Sequence, residues 1–165
     1  MTRVLGIDPG LASTGWGVVV VDGTKYSHIA HGVIKTSPRE SAGERLMKLS
    51  REIRSVIDTH RPDQAGVENL YFARNATSAI PVAQARGVIL LALAELGVPA
   101  GEYPPQAIKQ AIVGRGRAEK HQVQELVRMI LGLESVPKPD HASDALAAAI
   151  CHITHTGGGF DVSQH

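Results

Sequence analysis

The sequence lacks the features that would tie a chain to the cell exterior or to a membrane. Among its 165 residues Cys151 is the only cysteine, so no internal disulfide can form. A single free cysteine fits a reducing compartment. The N-terminus has no long apolar signal region, and the longest apolar run, at 87–94, is too short to span a bilayer. We therefore expect a cytoplasmic protein that does not associate with a membrane.

The chain also lacks a strong excess of either charge. Its formal net charge is only +1, so the molecule as a whole is not an obvious partner for a polyanion. The segment 106–121 differs, because it carries four basic residues against one acid. The basic residues are Lys109, Arg115, Arg117 and Lys120. This segment could contact phosphates, or it could be an ordinary solvated face.

The order of apolar patterns predicts an α/β fold. Three strands joined by short links come first and suggest an antiparallel meander, at 3–8, 14–22 and 26–36. Helical patterns then alternate with short strands. The helices are predicted at 41–60, 76–97, 105–112, 118–132 and 140–155, and the strands at 63–68 and 101–103. We expect a mixed five-stranded sheet with helices on both faces. One domain should cover residues 1–156, with a flexible tail at 157–165.

The predicted helix at 76–97 is apolar almost all round, since its segment 82–96 has only three strongly polar residues. Such a helix must be covered on both sides. Either it forms a symmetric homodimer through about residues 82–96, or it is a central core helix of one subunit. For the dimer, Ile89 is expected to point outward.

Acidic residues end two of the predicted strands and recur on the last helix. Asp8 ends the first strand, Glu68 ends the fourth, and Asp144 shares a helix face with His141. Each acid alone has an ordinary explanation: a turn at Asp8, a solvated strand end at Glu68, and for Asp144 the N-terminal end of a helix capped by Asp140.

Taken together, the same residues predict a metal site. If the strands of Asp8 and Glu68 are parallel neighbours, both carboxylates emerge at one edge of the sheet, where they repel each other unless a cation lies between them. Oxygen ligands of this kind suit Mg²⁺ or Mn²⁺, and two such ions can activate a water and stabilise the leaving oxygen of a phosphodiester. The small residues of the last helix would let it approach the sheet and add His141 and Asp144.

Several separate motifs resemble the RuvC family of bacterial Holliday-junction resolvases. They run from about Thr2 to His155 and include "LGIDPGLASTGWGVV", "VENLYFARNATSA", "QARGVILLA", "IKQAIVGRGRAEKHQV" and "PDHASDALAAAI". The resemblance implies a ribonuclease-H-like fold and a homodimeric endodeoxyribonuclease. Such enzymes cut four-way junction DNA by paired, symmetric nicks in recombination and repair, using two Mg²⁺ or Mn²⁺ ions per active site. The resemblance also implies a complex with a branch-migration motor.

The resemblance assigns catalytic and metal-binding roles residue by residue. Asp8 matches the acid between the two metals, Glu68 matches the second acid, and Asp144 matches the last. His141 stands where many members have an aspartate and others a histidine, so the position keeps a ligand type. Asp140 is a rival ligand, although it lies about 100° around the helix from His141.

The resemblance also assigns DNA-binding residues. Lys109 and Lys120 match lysines near the scissile phosphate. A cation there stabilises developing negative charge, so the resemblance gives Lys120 a catalytic role as well. The loop "YFARN" matches the part of the family that enters the junction centre, through Tyr71, Phe72, Arg74 and Asn75. An aromatic ring there can stack on a base for about 1–3 kcal/mol, or it can pack in the core instead. Arg115 and Arg117 are expected to clamp the DNA backbone, unless their glycines only make a flexible loop.

Four other histidines are spaced as possible pairs. His152 and His155 are three residues apart on the last helix, and we expect a solvated helix end there rather than a metal site. His28 and His31 are expected to lie on opposite faces of their strand and not to pair.

Three other functions fit parts of the sequence. The segment "GIDPGLASTGWG" also resembles the phosphate-binding hairpin of the sugar-kinase and actin superfamily, whose members close two such domains around a nucleotide. A junction-binding module without catalysis is the second alternative, and a different nuclease of the same fold is the third. ATP binding would favour the first, and nicking assays separate the other two.

Overall fold

The computed structural model describes residues 1–70 and 76–157, with the backbone alone at 76–78. The strands are β1 (Thr2–Asp8), β2 (Ser13–Asp22), β3 (Lys25–Lys35), β4 (Gln64–Glu68) and β5 (Ala100–Tyr103). The helices are α1 (Ala42–His60), α2 (Ala76–Glu95), α3 (Pro105–Val113), α4 (Lys120–Leu131) and α5 (Asp140–Thr156). Each element was predicted, and every boundary lies within two residues of the prediction.

The strands form one mixed sheet in the order β3-β2-β1-β4-β5. β1, β2 and β3 pair antiparallel, whereas β4 runs parallel to β1 and β5 runs parallel to β4. The register pairs Ile7 with Val67, so the next residues, Asp8 and Glu68, leave the sheet side by side. The predicted mixed five-stranded sheet is therefore confirmed, together with the parallel neighbours that the metal-site hypothesis required.

Helices cover both faces of the sheet. One core cluster joins α1 and α2 to Leu5 and Ile7 of β1. A second cluster joins α3, α4 and α5 to Val4 on the opposite face of the same strand. Successive side chains of a strand point to opposite faces, so the apolar run of β1 serves both cores.

α5 lies directly against the backbone of the sheet because the sheet is glycine-rich beneath it. A Cβ atom at Gly6 would overlap the carbonyl oxygen of Ala145, and one at Gly15 would overlap the carbonyl oxygen of His141. On the helix side the contact is made by small, buried residues: Ala142, Ala145, Ala148 and Ala149. The fifth alanine of the expectation, Ala147, is also buried but lines the groove that contains Lys109 and Lys120. The expected close approach of the last helix is confirmed, and it fixes the height of α5 above β1 and β2.

α2 buries one face and leaves another exposed. Ile89 is 0% exposed in the core beneath α1, so the expectation that it points outward is wrong. A helix that is apolar all round gives no periodic signal for its buried face. Leu91, at 56% exposure, is one of the outward residues. None of the described helices combines the length and apolar content that crossing a membrane would require.

His28 and His31 of β3 form a pair, contrary to the expectation from strand alternation. The register of β2 and β3 shifts between Val18 and Val19, because Val18 faces Ala30 while Val19 faces His28. The extra residue in β3 is a β-bulge, which returns the two histidines to one face. Nε2 of His28 then lies 2.8 Å from Nδ1 of His31.

Candidate active site

Asp8 and Glu68 lie at the edge of the sheet where β1 and β4 end. Asp8 is only 8% exposed. The turn that follows Asp8 is stabilised by hydrogen bonds within the segment 10–14. The hydroxyl of Thr14 donates to the carbonyl of Gly10 and accepts from the amide of Gly10. The carboxylate of Asp8 faces the site. The alternative that Asp8 only initiates a turn therefore does not account for the contacts of its side chain.

α5 brings two further ligand-type side chains to this edge. Nδ1 of His141 lies 3.0 Å from Oδ2 of Asp8. One ligand atom from each of Asp8, His141 and Asp144 lies within 4.8 Å of the others, and among the described residues this is the group with such spacing. Glu68 lies outside that group, but it lines one groove with Asp8 and another with Asp144. The structure thus brings all four predicted residues to one place.

Burial and neighbouring negative charges disfavour the ionised forms of these carboxyl groups. Burial raises the pKa of Asp8, and the charge of Asp144 acts in the same direction. Burial also raises the pKa of Glu68, with a further contribution from the charge of Asp8. The pKa of Asp144 is raised by burial as well. A bound divalent cation would offset both causes, because it stabilises the ionised carboxylates.

The donor set fits a small divalent cation. Three carboxylates and one imidazole supply oxygen and nitrogen atoms, and the grooves beside them leave room for water or phosphate oxygens. Carboxylate, water and phosphate oxygens are the ligands that Mg²⁺ and Mn²⁺ prefer, and Mn²⁺ also accepts imidazole.

Two of the predicted basic residues lie beside the carboxylates. Nζ of Lys120 is 3.7 Å from Asp144 and 3.3 Å from Asp140. Partial burial opposes the charged form of Lys120, but the charges of Asp144 and Asp140 outweigh it, so the pKa of Lys120 is raised. Lys109 lines the same groove as Glu68, Lys120 and Asp144.

Asp140 is placed differently from the expectation that it caps α5. The N-cap residue is Pro139, and Asp140 is the first residue of the helix. Its carboxylate pairs with Lys120 and accepts a hydrogen bond from Gln124. The hydrogen bond with Lys120 lowers the pKa of Asp140. Asp140 is not in the three-residue ligand group, so the geometry favours His141 as the ligand.

The other predicted DNA-binding residues fall into two groups. Arg115 and Arg117 are exposed in the segment between α3 and α4. The residues assigned to the junction-entering loop, Tyr71, Phe72, Arg74 and Asn75, lie outside the described residues. The predicted tail also lies outside them, except for Gly157, which follows α5.

His152 differs from the expectation of a solvated helix end. It is 2% exposed, with Nε2 2.7 Å from the Gln64 side-chain oxygen and Nδ1 2.8 Å from the Tyr103 hydroxyl. The polar network therefore ties α5 to β4 and β5. His155, one turn later, is exposed as expected.

Sequence reasoning missed two features of the site. Arg45 of α1 lines a groove with Asp8 and His141, although the sequence around it gives no sign of this. The glycines beneath α5 did leave a signal, because glycine within a strand often marks a close approach of another backbone. Gly6, Gly15 and Gly66 each interrupt an otherwise apolar strand pattern.

Known proteins resemble the chain over nearly its whole length. The family model described as "Crossover junction endodeoxyribonuclease RuvC" matches residues 4–152. A protein of that name from Treponema denticola is 54% identical over 150 residues, which cover 91% of this chain and 84% of the relative. Another from Heliobacterium modesticaldum is 50% identical over 148 residues, covering 90% of this chain and 91% of the relative.

Solved structures show the same similarity. The structure of Thermus thermophilus RuvC in complex with Holliday junction substrate matches with a TM-score of 0.92 and 40% identity, covering 97% of this chain and 98% of that chain. The yeast mitochondrial Holliday junction resolvase matches with a TM-score of 0.65 at 14% identity, covering 94% of this chain and 81% of that chain. The second match concerns the fold alone.

Proposed function

The chain belongs to the RuvC family of crossover junction endodeoxyribonucleases, and we propose that its carboxylate–histidine cluster cuts the backbone of a Holliday junction. The observation that carries the proposal is the placement of ligand atoms of Asp8, His141 and Asp144 within 4.8 Å of one another. Glu68 leaves the neighbouring strand at the same edge. Metal-dependent hydrolysis of a phosphodiester is the chemistry that such a donor set supports best.

Four residues would hold two divalent cations, Mg²⁺ or Mn²⁺. Asp8 lies centrally, since it contacts His141 and shares a groove with Glu68. When bound, the ions supply an activated water and stabilise the leaving oxygen. The chain itself orients the ligands: β1 and β4 fix the two acids, and the glycine contact holds α5 so that His141 and Asp144 face them.

Basic side chains would bind the scissile phosphate and the DNA around it. Lys120 is placed to stabilise negative charge on the phosphate, with Lys109 in the same groove. The Lys120 ammonium group pairs with Asp140 and Asp144, which hold it beside the carboxylate cluster. Further DNA contacts are proposed from the family resemblance alone. They are Tyr71, Phe72, Arg74, Asn75, Arg115 and Arg117.

We also propose a homodimer through the exposed face of α2. A four-way junction has two-fold symmetry, so paired nicks need two active sites related by a two-fold axis. The outward side of α2 offers apolar residues for such an interface, including Ile80 and Leu91. A complex with a branch-migration motor is proposed on the family resemblance alone.

Cleavage of a synthetic mobile four-way junction tests the proposed function. We expect paired nicks that require Mg²⁺ or Mn²⁺ and stop when the metal is chelated. A linear duplex and an RNA–DNA hybrid of matching sequence serve as controls. Equal cleavage of all three substrates would indicate a different nuclease of this fold, and junction binding without any cleavage would indicate a binding module.

A further inference from the structure

Three grooves meet at the carboxylate cluster, and the basic residue of the first, Arg86, is paired with Glu102. The other two grooves also contain basic residues. One of these two is lined by Lys109 and Lys120 together with Glu68 and Asp144. The other runs towards α1 and is lined by Arg45 together with Asp8 and His141. A DNA strand whose phosphate lies at the cluster must leave it in both directions, so each groove is a possible path for the backbone.

We infer that Arg45 binds a backbone phosphate of the cut strand on the α1 side of the active site. This inference rests on the proposed function, because it assumes that the strand crosses the carboxylate cluster. It adds a contact opposite the two lysines, so that the strand is held on both sides of the bond to be cut.

The Arg45 side chain is held in place by Thr36, which follows β3 and is itself bonded to the segment that connects β1 to β2. Its Nε atom donates to the Thr36 hydroxyl at 2.8 Å. That hydroxyl donates to the carbonyl of Leu11 at 2.6 Å, and the Thr36 amide donates to the carbonyl of Ala12 at 3.1 Å. Leu11 and Ala12 follow Asp8 by only a few residues. The guanidinium group is thereby positioned relative to Asp8 before any DNA binds.

The charge of Arg45 has no carboxylate partner within the described residues. Three other arginines there do have one: Arg54 pairs with Glu95, Arg86 with Glu102 and Arg128 with Glu125. A guanidinium held through Nε keeps its two terminal nitrogens as donors, and this planar arrangement matches the oxygens of a phosphate.

The acids next to Arg45 in sequence have other partners. The Glu44 carboxylate accepts from the amide of Ser41 at 2.9 Å as part of the capping box of α1. The Glu40 carboxylate accepts from the amide of Ser37 at 3.0 Å. Both carboxylates thus satisfy backbone donors, and the positive charge in the groove remains available for an anion.

A contact of this kind would fix the register of the strand and would not read its sequence. Phosphate contacts position a protein on DNA, whereas base edges carry the sequence information. We therefore expect Arg45 to affect affinity for junctions of any sequence to the same degree.

Salt-dependent binding of the full-length protein to a four-way junction tests the role of Arg45. Each phosphate contact that is lost should lower the slope of log affinity against log salt by about 0.9. We expect Arg45→Gln to show that lower slope and several-fold weaker binding. Arg45→Lys should keep the wild-type slope because it keeps the charge, and should bind with intermediate affinity because it lacks the planar guanidinium. Arg51→Gln is the matched control, since Arg51 lies on the same helix away from this groove, and it should bind like wild type.

A slope for Arg45→Gln equal to that of Arg51→Gln and wild type would overturn the inference. If the melting temperature of Arg45→Gln then falls while its slope stays unchanged, Arg45 only ties α1 to the sheet. The proposed function is tested separately by nicking with Asp8→Asn in the same series. If Asp8→Asn loses nicking while Arg45→Gln binds the junction like wild type, the proposed function is supported and the inference about Arg45 is refuted.

Discussion

Nδ1 of His141 lies 3.0 Å from Oδ2 of Asp8, although the two residues are 133 positions apart in the sequence. The contact exists because Asp8 ends the central strand β1 while α5 rests on the glycines of β1 and β2. A metal site built on this pair depends on the donor atoms themselves and on the close approach of α5. It also depends on the burial of the carboxylates, which removes them from water.

The identity of the donor at 141 should set the metal preference. Imidazole is a neutral nitrogen donor, which Mn²⁺ accepts more readily than Mg²⁺ does. We expect wild type to cut better with Mn²⁺, and His141→Asp to narrow or reverse that preference. Single-turnover cleavage against metal concentration measures it for both proteins.

The same pair of proteins should differ in pH dependence. An imidazole must be unprotonated to bind a metal, so protons compete with the cation as pH falls. We expect the metal affinity of wild type to weaken from about pH 8 to about pH 6, and that of His141→Asp to weaken less, because the ordinary pKa of an aspartate lies about two units below that of a histidine. The raised pKa values of Asp8 and Glu68 act in both proteins, so the difference between the two proteins reports on position 141. Identical metal preference and pH dependence would mean that His141 is not a ligand.

The contact between α5 and the sheet should tolerate no added side chain. A methyl group at Gly6 would overlap the backbone of Ala145, which cannot move without displacing α5. We expect Gly6→Ala to lower the free energy of unfolding by about 3 kcal/mol or more, and to slow cleavage in the fraction that folds. Gly43→Ala is the control, because a Cβ atom there meets no neighbour within 4 Å. Equal denaturation midpoints for the two variants would refute the close-contact account.

The proposed dimer should depend on the outward side of α2. Leu91 is 56% exposed, so Leu91→Glu adds a charge without disturbing the core. We expect monomers by sedimentation velocity, with single nicks replacing paired cutting. Met129→Glu is the matched control, since Met129 is 59% exposed on α4. A wild-type protein that stays monomeric even on junction DNA would contradict the dimer.

The buried His152 should make stability depend on pH. Burial lowers the pKa of His152 to about 4, whereas the ordinary value for a histidine is about 6.5. Between these values the unfolded chain takes up a proton that the folded chain excludes, so His152 reduces stability as pH falls through that window. We expect wild type to lose more stability than His152→Gln between pH 7 and pH 5, measured by urea denaturation. His155→Gln should reduce the pH response by less than His152→Gln does, because the charge of His155 only adds to the effect of burial on the pKa of His152. An identical pH response in all three proteins would contradict the assignment.

Much of the fold could be predicted from local patterns. The strand and helix periodicities of the apolar residues predicted every described strand and helix. The positions of Asp8 and Glu68 at the ends of β1 and β4 already indicated that the two acids are neighbours. His141 and Asp144 were predictable because they share a helix face, and Gly97 and Pro99 correctly indicated where α2 ends.

What the sequence did not reveal depends on partners from distant segments. His28 and His31 pair only because β3 carries a bulge against β2, which no local pattern marks. His152 is buried because Gln64 and Tyr103 meet it from two other strands. Ile89 was assigned to the wrong side of α2, since uniform hydrophobicity does not identify a face. Arg45 reaches the site through Thr36, a contact set by tertiary packing.

The most direct test of the account is the rate of junction nicking by Asp8→Asn. The substitution keeps the shape of the side chain and removes the central charge, so the chain should still fold and bind the junction. In single-turnover cleavage of a mobile four-way junction with Mg²⁺ or Mn²⁺, we predict a rate about 100-fold or more below wild type. Asp22→Asn should cut normally, because Asp22 is exposed at the far end of β2. Near-normal nicking by Asp8→Asn would contradict the assignment of the carboxylate–histidine cluster as the active site.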